Sequence, residues 1–97
     1  MKNDGLLLIN PPESFILETV VRIHPESKTN LNGLYKSSGN FCTQCEATGF
    51  RQITYYLDRP DVLSVFTTKI KANRDHYPVL LSNGNLVEES SSHAIWH

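Results

Sequence analysis

The sequence predicts a mainly β protein of antiparallel strands, with one short helix near residues 58–64. Three observations predict it. β-Branched and aromatic residues come in short runs, most clearly FILETVVRIH at 15–24. Turn residues punctuate the chain: Pro11 and Pro12, Pro25, Asn32 and Gly33, residues 37–40, then Asn83, Gly84 and Asn85. No segment holds an apolar period of 3.6 residues.

Each element follows in order. Residues 6–10 form a short apolar strand stopped by two prolines, and 15–24 a longer one ended by Pro25. Residues 34–36 and 41–46 are strands on either side of a turn at 37–40. Thr48 and Gly49 break the second, and 50–57 is ambiguous between states. Asp58 is placed to cap a short helical piece at 61–63. Residues 65–72 and 77–82 read as strands, with a tight hairpin turn at Asn83, Gly84 and Asn85. Residues 86–89 and 93–97 complete a last hairpin.

The 97 residues suffice for one small domain, a single piece spanning 1–97. The net charge of −1, with no basic cluster, argues against a nucleic-acid partner. The longest apolar run, 6–9, is too short to span a membrane as a helix, and the N-terminus lacks the pattern of a signal peptide. Two cysteines do not make a secreted disulfide framework, so a cytoplasmic location is the expectation. The chain begins abruptly and stops inside an apparent strand, which reads as a piece of something larger.

The chemistry-bearing candidates begin with Cys42 and Cys45, a C-x-x-C. Structural zinc commonly takes two such pairs, and there is no second one. A thioredoxin-like redox pair would open a helix, whereas the surroundings here read as β. On an extended strand the two thiols face opposite ways, so the plain reading is two packed thiols. The same alternation puts Cys42, Gln44 and Glu46 on one face. Gln44 and Glu46 together suit a bound cation such as an ammonium. The plainer reading is a solvated polar pair. His93 and His97 have the spacing of the ends of H-E-x-x-H, but Ala94 stands where the glutamate belongs and the segment reads as a strand.

Beyond this point the reading rests on resemblance. Gly33-Leu34-Tyr35, Cys42-Thr43-Gln44-Cys45-Glu46, Gly49-Phe50-Arg51, the run 53–63 (ITYYLDRPDVL), Phe66-Thr67-Thr68-Lys69-Ile70 and the run 80–85 (LLSNGN) occur in this order. They resemble the N-terminal domain of the bacterial aminopeptidase N family, zinc metallopeptidases of the gluzincin group. The resemblance spans at least 31–85. It implies a β-sandwich or saddle-like domain that packs on a catalytic domain of the same chain. That domain would carry H-E-x-x-H and G-A-M-E-N, neither of which occurs here.

The resemblance also implies that the full-length parent binds zinc and removes N-terminal residues from peptides with broad specificity. The present chain would hold no zinc and no catalytic residue, and would be inactive alone. Glu46 matches the family's glutamate that meets the free α-ammonium of the substrate. Gln44 matches the glutamine lining the same pocket. Asp58 would play a structural part with Arg51 or Arg59. Two other readings stay open: a stand-alone β-sandwich that binds peptides or proteins at an exposed edge, and a small zinc module built on the C-x-x-C. Exposed edges also make self-association of the chain an expectation.

Overall fold

The computed structural model describes residues 5–27 and 29–97. It is mainly β, with two antiparallel sheets. The chain divides into two compact units, Met1–Val62 and Leu63–His97.

In the first unit, β1 (Gly33–Ser37) pairs with β2 (Asn40–Gln44), with Gly33 opposite Gln44 and Ser37 opposite Asn40. The two turn residues explain the hairpin. Ser38 (φ 53°) and Gly39 (φ 84°) both take positive φ, as the tightest hairpin turns require, and Gly39 does so without strain. Across the hairpin the Lys36 ammonium lies 5.2 Å from the centre of the Phe41 ring.

The second unit holds three strands in the order β3-β5-β4: β3 (Thr68–Lys71), β4 (Leu86–Glu89) and β5 (His93–Trp96). The β4–β5 hairpin is the one expected. A bulge at Val87, between Leu86 and Glu88, shifts its register. The pairing of β5 with β3 joins residues far apart in sequence, Thr68 opposite Trp96 and Lys71 opposite His93. Central Ala94 is wholly buried and Leu80 is 8% exposed. The Trp96 indole N–H donates to the Leu80 carbonyl at 3.3 Å, which fixes the ring over that residue.

Four expectations are corrected. Residues 6–10 and 15–24 form no ladder, and neither do 77–82. Most apolar side chains of 15–24 stay exposed, Ile16 at 91% and Val20 at 99%, Ile23 being half-buried, and no described strand lies alongside to take the backbone hydrogen bonds. Since 77–82 lacks a ladder, the bend at Asn83 and Gly84 is not a hairpin turn. Asn85 instead exchanges both backbone hydrogen bonds with His97, 2.8 and 2.9 Å.

The helix near 58–64 is the fourth. Among the described residues the helical turns are short 3-10 pieces, Pro25–Ser27 and Phe50–Gln52. At 59–62 a single turn closes, with Val62 N–H donating to Arg59 O at 3.0 Å, and does not propagate. The Asp58 carboxylate that would have capped it is engaged by Arg51 instead. No described helix is long and apolar enough to cross a membrane.

Candidate functional site

The candidate site is the segment that leaves β2. The ladder ends at Gln44 because its partner strand begins at Gly33. Strand alternation therefore stops there, and Glu46 lies in the turn beyond it, not on the strand face shared with Cys42 and Gln44 as the sequence suggested. The Glu46–Ala47 peptide is cis. Gln44 and Glu46 are both exposed, and neither side chain has a hydrogen-bond or ion-pair partner among the described residues.

The turn is closed from below. Gly49 N–H donates to Cys45 O at 2.8 Å, and Gln52 N–H donates to Gly49 O at 3.0 Å as the 3-10 turn begins. Arg51 then makes three bonds to Asp58. Its backbone N–H (2.9 Å) and Nε (3.3 Å) both reach Oδ2, and Nη2 donates to the Asp58 carbonyl at 2.9 Å. Charged, multidentate bonds of this kind are among the stronger polar contacts. The Phe50 and Tyr56 rings lie 4.8 Å apart between centres. Of the two arginines proposed for Asp58, Arg51 is the partner. Arg59 pairs with Asp61 at 3.2 Å. The sequence offered no signal for how tightly Asn32 and Gly49 approach one another.

Burial pushes the Cys45 thiol above its ordinary range, and the negative charge of Asp58 adds to the shift. A raised thiol carries less thiolate at any given pH. Cys45 is therefore expected to react with iodoacetamide at pH 8 more slowly than an unstructured cysteine peptide, with the rate still climbing above pH 9. Asp58→Asn should quicken it only modestly, since burial is the larger cause. Mass-spectrometric mapping of the alkylated peptides measures both, and a Cys45 faster than the free peptide contradicts the assignment.

The histidines are accounted for locally. His93 Nε2 lies 2.6 Å from Glu88 Oε2 and its Nδ1 lies 2.9 Å from Ser90 Oγ. His97 Nδ1 lies 2.7 Å from Thr67 Oγ1. Because 93–96 is a strand, the H-x-x-x-H spacing does not act as it would on a helix. Among the described residues no three His, Cys, Asp or Glu side chains come together as metal ligands would.

Residues 2–97 match the family described as the peptidase M1 N-terminal domain. The chain is 57% identical over 89 residues to aminopeptidase N of Escherichia coli (strain K12), covering 91% of this chain and 10% of that protein. It is 54% identical over 88 residues to aminopeptidase N of Caulobacter vibrioides, again 91% and 10%. Against aminopeptidase N of Haemophilus influenzae it is 56% identical over 75 residues, 77% of this chain and 9% of that one. The chain thus spans about a tenth of the length of these relatives. With a family match running from residue 2 to residue 97, the chain belongs to the peptidase M1 N-terminal domain family.

Proposed function

We propose that this chain is the part of a zinc-dependent aminopeptidase of broad specificity that recognises the substrate's free α-amine. Glu46 supplies the carboxylate for the α-ammonium, and Gln44 lines the pocket beside it. The carrying observation is that both side chains stand exposed and without a partner among the described residues, at and just beyond the end of β2, where a turn is tied down by its own backbone. An exopeptidase must reject internal peptide bonds and acylated termini. A carboxylate at the closed end of a cleft does this, because a neutral amide there leaves it desolvated and unpaired.

The described residues do not fit zinc, since no ligand cluster forms among them. The metal and its water chemistry are assigned to the remainder of the parent protein, with which this domain packs. The expected location is the cytoplasm. Incubated with an aminoacyl chromogenic amide, the purified 97-residue chain is expected to show no hydrolysis. The complete protein should hydrolyse it, lose activity to a chelator, and regain it with zinc. Activity in the isolated chain, or a chelator-insensitive complete protein, overturns the reading.

One observation favours a second reading, a non-catalytic module that adds a peptide strand at an edge. Residues 15–24 are rich in exposed apolar side chains and pair with no strand among the described residues. A complete protein without hydrolytic activity would leave that reading, or self-association through the same segment, as the better account.

A further inference from the structure

Gly49 is buried although it sits in a turn. Its backbone angles, φ −77° and ψ −20°, are open to any residue, so conformation does not explain the glycine. Space does. A Cβ at this position would overlap the Asn32 side-chain oxygen and the Gln44 carbonyl oxygen, and would lie 2.9 Å from Cys45 Cα. The last two are backbone, which yields less readily than a side chain.

The same few atoms carry the connections around Glu46. Gly49 N–H holds the Cys45 carbonyl at 2.8 Å. Asn32 Oδ1 accepts from Gly33 N–H at 3.1 Å, and Gly33 is the register partner of Gln44. Glu46 is therefore carried on a turn whose two ends are pressed together at Gly49 and braced against the start of β1 through Asn32. A side chain at position 49 must push outward the Gln44–Cys45 backbone that leads directly into Glu46.

We infer that Gly49, with Asn32 behind it, is a positioning residue that sets where the Glu46 carboxylate stands and so how tightly the substrate amine is held. This rests on the amine-anchor reading above. The ammonium is charged both before and during reaction, so displacing its partner weakens ground and transition states alike. That raises KM and leaves kcat nearly unchanged. A residue that served only to hold the fold together would instead lower thermal stability and the active fraction, with KM intact.

The test compares Gly49→Ala, Glu46→Ala and the double variant in the complete aminopeptidase that carries this chain. The readouts are KM and kcat on an aminoacyl chromogenic amide. Gly49→Ala is expected to raise KM about tenfold with kcat within twofold. The double variant should lose no more than Glu46→Ala alone, because residues acting through one group are not additive. A Gly49→Ala enzyme with unchanged KM, or an additive double variant, overturns the inference while the anchor reading stands. An unchanged KM in Glu46→Ala overturns the anchor reading itself. If Gly49→Ala does not fold, Asn32→Ala, which adds no atoms, takes its place. It should raise KM about threefold, again without further loss in combination with Glu46→Ala, and an unchanged KM there also refutes the positioning role.

Discussion

On the amine-anchor proposal, Glu46→Ala in the complete protein is expected to lower kcat/KM for an aminoacyl amide by roughly 30-fold or more. Truncating one partner of a buried, hydrogen-bonded charge pair typically costs about 2–5 kcal/mol, and each 1.36 kcal/mol is about tenfold in rate. Glu46 is exposed in this chain and has no partner among the described residues, so the full cost applies only once substrate and the rest of the protein enclose it. Most of the loss should fall on KM. Glu46→Gln keeps the shape and one acceptor oxygen but removes the charge, and should lie between wild type and alanine. Under the same proposal, the preference for a free over an acetylated N-terminus should shrink in parallel. A change of less than twofold in kcat/KM for Glu46→Ala, with discrimination intact, would sink the assignment.

The second large effect is on stability. Arg74→Ala is expected to destabilise the Leu63–His97 unit by about 1–2 kcal/mol. Its side chain is only 21% exposed and bonds two separate pieces of chain. Nε and Nη2 donate to the Pro78 carbonyl at 3.2 and 2.7 Å, Nη1 to the Ser90 carbonyl at 3.0 Å, and Nη2 also to Glu89 Oε2 at 2.9 Å. The turn after β3 and the β4–β5 connection are thus fastened through one side chain. The Glu89 contact contributes little of the total, being half exposed and screened. Most of the cost is the lost charge-assisted bonds to two carbonyls, which water replaces in part because Pro78 and Ser90 are exposed. Arg74→Lys keeps the charge but loses the planar fork, and should recover less than half of the loss. Amide hydrogen exchange of β5 in the complete protein reads this locally. Unchanged protection in Arg74→Ala would show that the bonds to Pro78 and Ser90 contribute nothing.

Some of this was legible in the residues. Ser38 and Gly39 announce the β1–β2 turn, and the short apolar run 93–97 after three serines announces β5. Arg51 was among the candidates for Asp58. What misled was local pattern without a partner. Residues 15–24 have the composition of a strand, yet a strand is a pairing, and no described strand lies alongside them. Asp58 has the placement of a helix cap, but its carboxylate is engaged by Arg51 and the turn at 59–62 does not propagate. Glu46 was read as lying on a strand face, whereas the register set by Gly33 ends the ladder two residues earlier.

The sequence by itself determined that the protein is mainly β, where the β1–β2 turn falls, and which family it resembles, because these follow from residue type and short-range spacing. The tertiary structure decided which strands pair, that Glu46 rides on a turn, and that Gly49 leaves no room for a side chain. Those depend on contacts such as Gly49 against Asn32 and β3 against β5, between residues far apart along the chain, whose meeting no local pattern encodes.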